Sequence, residues 1–164
     1  MRMLIASLTL CLTLCLPCGA ALAQALPPAT PPSPPAAIYD AEMAQAVGAD
    51  DYGMRRYVLV LLKTGPTSMP AGEARSAMFK GHFAHINRLA AEGKLALAGP
   101  FDGVDGWRGL FIIAVSDIEE AKRLTATDPV ISSGEMVAEF HNYYGSAALM
   151  LVNDAHKKLA RKGF

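Results

Sequence analysis

Four histidines, His82, His85, His141 and His156, together with the carboxylates, are the side chains of this sequence best suited to moving protons. A thiol is not available to join them. Cys11, Cys15 and Cys18 all lie before Ala21-Leu22-Ala23, and that triplet, following Arg2 and the apolar run Leu4 to Leu16, has the small-x-small form of a signal peptidase site. Residues 1–23 therefore read as a signal peptide, since the apolar run is well short of the roughly 20 residues that span a bilayer. Leu16 and Pro17 stand where small residues would precede a lipidated cysteine, which argues against Cys18 as an anchor. The expected mature chain has no thiolate nucleophile, disulfide framework or cysteine metal ligand.

His82 and His85 share one predicted helix. At 100° per residue Met78, His82, Ile86 and Leu89 fall within an apolar arc about 80° wide, with His85 at its edge and Lys80, Asn87 and Arg88 on the far side. An imidazole on a buried stripe needs a hydrogen-bond partner. It is either a core histidine whose bonds are satisfied or, if a carboxylate fixes one nitrogen, a proton-transfer group with the other nitrogen free. The His-x-x-His spacing also suits a metal held from adjacent turns, but no cysteine supplements it, and a third ligand would come from a distant carboxylate or His141. No G-x-S-x-G elbow and no glycine-rich phosphate loop is present; Gly145-Ser146-Ala147 follows a strand without the flanking pattern. Among the carboxylates Asp128 stands out because Pro129 follows it after a predicted helix. Asp-Pro is also a turn signal in its own right. Glu119 and Glu120 sit in the first turn of a helix, and Glu92 ends one.

The elements that must position these groups follow from breakers and periodicity. Gln24 to Ala37 is dominated by proline and reads as an extended spacer; with residues up to 54 it forms a linker and N-terminal extension, in which Ala41 to Val47 suits a short helix. The domain is expected over 55–164. Tyr57 to Leu62 is a continuous apolar strand ending before Gly65-Pro66, Glu73 to Glu92 a helix stopped by Gly93, Leu95 to Ala98 a short strand, and Trp107 to Val115 another. Ser116 with Glu119 forms a capping box for a second helix to about Ala126; Glu135 to Tyr144 is the last strand, and Ser146 to Arg161 a C-terminal helix. Strand, helix, strand, strand, helix, strand is the βαββαβ order of an α+β ferredoxin-like fold. Two helices cover one sheet face, so a second copy of the sheet is the simplest cover for the other, giving a homodimer.

Taking Arg2 from the 15 basic residues leaves one fewer base than the 15 acids, a formal charge of −1. With no basic stripe interleaved with aromatics, nucleic acid is not an expected partner. No later segment is long and apolar enough to span a membrane, and the protein is expected in the periplasm or outside the cell. The last helix carries Ala148, Val152, Ala155 and Leu159 on one stripe and Lys157, Lys158, Arg161 and Lys162 near its end, which suits a packing helix or dimer arm with a solvated basic tip.

Gly81-His82-Phe83 through Arg88-Leu89, then Glu92-Gly93-Lys94-Leu95, Ala98-Gly99-Pro100-Phe101, Glu119-Glu120-Ala121, Thr127-Asp128-Pro129 and Tyr144-Gly145-Ser146-Ala147-Ala148-Leu149 together resemble the YciI-like (YCII-related) family, the last motif in the form of an exported branch. The likeness covers about Arg55 to Leu159. It implies a dimeric α/β barrel of ferredoxin-like subunits with a site built from a first-helix histidine, here His82, and the Asp-Pro aspartate, here Asp128. Among the family's few assigned activities is a dehydrochlorinase acting on a chlorinated hydroxyhydroquinone. Asn142-Tyr143 stands where many relatives carry Pro-Trp, a departure that the resemblance leads one to expect at the pocket wall.

Two functions follow as expectations. One is an enzyme needing neither metal nor organic cofactor, in which His82, oriented by Asp128, carries out acid-base chemistry of the lyase or isomerase type on a small cyclic or aromatic molecule, with His85, Arg108 or Tyr143 orienting it. The other is a non-catalytic module of the cell envelope that binds a small molecule or a protein.

Overall fold

The computed structural model describes residues 38–163. Residues 1–23, expected to be a signal peptide, and the proline-rich tract to Ala37 lie outside the described residues. Elements run α1 (Ala41–Val47), β1 (Met54–Thr64), α2 (Glu73–Ala91), β2 (Leu95–Pro100), β3 (Trp107–Ile113), α3 (Ile118–Thr125), α4 (Pro129–Ser132), β4 (Met136–Ser146) and α5 (Val152–Leu159), with 3-10 turns at Val104–Gly106 and Ala147–Leu151. The sheet is antiparallel with order β2-β3-β1-β4, so the two strands apolar on both faces are central, as in a ferredoxin-like α+β fold.

Strand alternation divides the core into two. Val58, Val60 and Leu62 of β1 and Phe111 and Ile113 of β3 face the helices and pack with Met78, Leu89, Ala121 and Val130. Val58 and Val60 are fully buried, each contributing roughly 1.5–3 kcal/mol of transfer free energy. Tyr57 and Ile112 point the other way and form a smaller cluster with Ala96 and Ala114. That second face is partly covered by the chain's own Leu149 and Met150, from the turn after β4, rather than left wholly to another subunit. Leu59, Leu97 and Leu110 remain half-buried there, and Val137 is exposed.

The expected short helix Ala41–Val47 is present as α1, and two local expectations are corrected. Asp117, not Ser116, caps α3, its carboxylate accepting the Glu120 N–H at 2.7 Å. The chain after β4 is not one helix, because β4 continues to Ser146 and a 3-10 turn precedes α5. The tighter winding of that turn rephases the side chains, so the supposed apolar stripe does not pack and Leu159 is 80% exposed. The extension before β1 carries α1, whose Val47 is buried and whose carbonyl accepts from Arg55 Nη1 at 2.8 Å.

Candidate functional site

Two sequence-distant dipeptides meet where α2 crosses α4. Pro129 occupies the first turn of α4, where its missing N–H costs nothing, and it holds Asp128 in extended geometry as the N-cap. Asp128 donates its N–H to the Thr125 carbonyl at 3.0 Å and receives the Ser132 N–H on its own carbonyl at 2.8 Å. Its Oδ1 also accepts the Val130 N–H at 3.1 Å. With backbone and cap settled, the rest of the carboxylate's accepting capacity turns to α2. His82 Nδ1 lies 2.9 Å from Oδ1 and 2.8 Å from Oδ2.

Asp128 is fully buried and His82 only 8% exposed. A carboxylate is an acceptor alone, so His82 Nδ1 is the donor of this bond, and in the neutral form of the ring the lone pair then lies on Nε2. Rings of Phe83, Phe111 and Phe79 surround the imidazole at centroid distances of 5.5, 6.0 and 6.2 Å. Such apolar surroundings strengthen the hydrogen bond to Asp128.

His82 opens onto a cavity of about 390 Å³. Phe79, Phe83, Ile86 and Asn87 of α2 form one wall; Ala98 to Phe101, with Arg108, Gly109 and Phe111 of β3, form another, and Leu62 and Met136 complete it. A small, mainly apolar cavity with a few polar groups is the usual form of a small-molecule site. A larger cleft of about 870 Å³ near Arg55, Lys94 and Tyr144 is open and its polar groups are largely paired with one another, Lys94 with Glu120 and Tyr144 with Asp50.

The other candidates are placed differently. Arg108 lines the cavity with His82. His85 is buried beside it in sequence but does not line it; Arg88 donates to its Nδ1 at 3.3 Å, and its Nε2 has no partner among the described residues. Burial pushes the His85 pKa below the ordinary histidine value, against the opposing pull of Asp128. Tyr143 is not a wall of this cavity: it pairs in register with Tyr57, stacks on that ring at 6.1 Å and so belongs to the opposite sheet face. His141 is exposed on β4, its Nε2 2.7 Å from Glu139. Among the described residues no three His, Cys, Asp or Glu side chains gather as a metal set, and no helix is long and apolar enough to cross a membrane.

Sequence reasoning missed Glu135 and Arg75. Glu135 is a buried carboxylate just before β4 that holds Arg75 Nη1 at 2.6 Å and accepts the Met69 N–H at 2.8 Å. Its carboxyl is kept below the usual range first by that N–H and then by Arg75. The phenylalanine lining was missed too, because aromatic residues on an apolar stripe look like ordinary core.

A family model described as "YCII-related domain" matches residues 56–140, more than half of the chain and inclusive of His82, Arg108 and Asp128. The chain is also 37% identical over 54 residues to "Uncharacterized protein YjpA" of Bacillus subtilis (strain 168), a match covering 33% of this chain. It spans 61% of the length of that curated relative.

Proposed function

The chain belongs to the YCII-related family, and from that and the buried His82–Asp128 pair at its cavity we propose that it is an acid-base enzyme of the lyase or isomerase type acting on a small cyclic or aromatic molecule. The observation that carries this reading is the pair itself: an imidazole with Nδ1 held by a fully buried carboxylate, at the wall of an apolar cavity.

In the proposed step His82 Nε2 removes a proton from a carbon of the substrate activated by a neighbouring carbonyl or ring oxygen. The C–H pair either expels a leaving group on the adjacent carbon, as in elimination, or is re-protonated elsewhere by the imidazolium, as in isomerisation. Asp128 keeps its negative charge throughout and stabilises the imidazolium that forms. A positioned histidine contributes roughly 10² to 10⁴ in rate. No cofactor is required for such a step.

The reading extends to setting and assembly. The Ala21-Leu22-Ala23 site supports an exported protein, periplasmic or secreted, which N-terminal sequencing of the mature product tests. The half-buried Leu59, Leu97 and Leu110 with exposed Val137 support a homodimer through the second sheet face, which light scattering tests.

The activity is tested without knowing the full reaction. Cyclic ketones, lactones and phenols are incubated with the protein in D₂O, and C–H exchange is followed by NMR. Exchange in the wild type that is lost in both His82→Gln and Asp128→Asn supports the enzyme. Exchange unaffected by His82→Gln, or none above buffer despite ligand binding, favours the binding-module alternative.

A further inference from the structure

The cavity lining carries one guanidinium, that of Arg108, whose charge partner among the described residues is a carboxylate it shares. Arg108 stands 4.0 Å from Glu135, longer than a hydrogen bond. Glu135 is already engaged: Oε1 holds Arg75 and Oε2 takes the Met69 N–H. Arg75 is fixed in turn by the Met69 carbonyl at 2.8 Å and by the Phe79 ring, 5.1 Å from its guanidinium carbon. Two guanidinium groups thus share one carboxylate, and the shorter contact belongs to Arg75. Among the described residues the Arg108 guanidinium makes no hydrogen bond, although its side chain is only 26% exposed.

A planar guanidinium with its donors unspent matches a carboxylate through two parallel N–H···O bonds, and a half-desolvated site strengthens them. Apolar walls of Phe83, Phe111 and Ile86 accommodate a ring but supply no other charge. We propose that the substrate carries a carboxylate, bound by Arg108, on a small cyclic or aromatic body whose reacting carbon lies at His82. This rests on the acid-base reading for what happens at His82, but the anion preference itself does not.

The test uses benzoate and benzamide, which share a ring and differ in charge. Binding is followed by calorimetry and by the fluorescence of Trp107, the chain's single tryptophan, whose ring is 5.5 Å from that of the cavity residue Phe101. Benzoate is expected to bind about tenfold or more tightly than benzamide. In Arg108→Gln benzoate should fall to the benzamide level while benzamide is unchanged, which also shows that the variant is folded; Arg108→Lys should recover part of the preference. Asp128→Asn should retain it. Equal binding of the two probes to the wild type, no saturable benzoate binding, or a preference that survives Arg108→Gln overturns the proposal. The wild-type comparison needs no variant, and a missing preference beside an intact His82–Asp128 pair refutes the carboxylate alone, leaving the acid-base reading standing.

Discussion

A Cβ placed on Gly81 would stand 2.9 Å from Cγ of Pro129, so α2 and α4 touch at a point that leaves no room for a side chain. The neighbours of these two residues are His82 and Asp128. The close approach of one backbone to one proline ring is what brings imidazole and carboxylate within hydrogen-bond distance.

Gly81→Ala separates these effects. Alanine gains up to about 1 kcal/mol in helix propensity over glycine, but the clash with Pro129 should outweigh it. A net loss of about 1–2 kcal/mol in urea denaturation is expected, with weaker protection of the His82 ring proton. A gain in stability would mean that α4 yields freely.

Asp128 serves as cap and as histidine partner, and two substitutions tell these apart. Asp128→Asn keeps a capping oxygen. Asp128→Ala loses the cap and strands the His82 Nδ1–H, and should cost about 2–4 kcal/mol, clearly more than the asparagine variant in the same denaturation series.

His85 stays neutral in the fold because burial holds its pKa below 6.5, the ordinary value it regains on unfolding. Between those two values the unfolded chain binds the extra proton, so stability rises with pH across this window and is lost as pH falls through it. His85→Leu should flatten that part of the profile of melting temperature against pH. At neutral pH it should be neutral or stabilising by up to about 1 kcal/mol, since it removes a buried donor without a partner. An unchanged acid slope would contradict the assignment.

Glu135, an acid where His85 is a base, has its pKa moved in the same direction and with the same consequence for stability. Its carboxyl is held below its ordinary 4.5 by the Met69 N–H and Arg75, so its contribution is present above that value and disappears as pH falls through the lowered folded value. Glu135→Gln should destabilise the protein at neutral pH, and the difference from wild type should close in acid.

What the sequence made legible was local. Gly65-Pro66, Gly93 and Gly99-Pro100 punctuated the chain, and the doubly apolar strands marked the centre of the sheet, so element order and strand order could be read. His82 on a helical stripe and Asp128 before a proline could each be singled out by pattern, but their pairing was implied only by the family resemblance. Arg75, Arg108 and Glu135 converge only through the register of the sheet and the path of the 65–70 loop, which no periodicity encodes. Tyr143 shows the limit in the other direction: the alternation of β4 sends it to the face of Tyr57, and this depends on pairing rather than composition. The rephasing after Ser146 was hidden because a 3-10 turn and an α-helix share the same residue preferences.

The central claim is that Asp128 fixes the tautomer of His82. Long-range ¹H–¹⁵N correlation spectra of the histidine rings, recorded in mildly alkaline solution for wild type and Asp128→Asn, read it directly. Nδ1 of His82 should be protonated and Nε2 unprotonated in the wild type, with Nε2 shifting when benzoate enters the cavity, and the tautomer preference should weaken in Asp128→Asn. A His82 protonated on Nε2 in the wild type, or spectra unaltered by Asp128→Asn, would contradict the account.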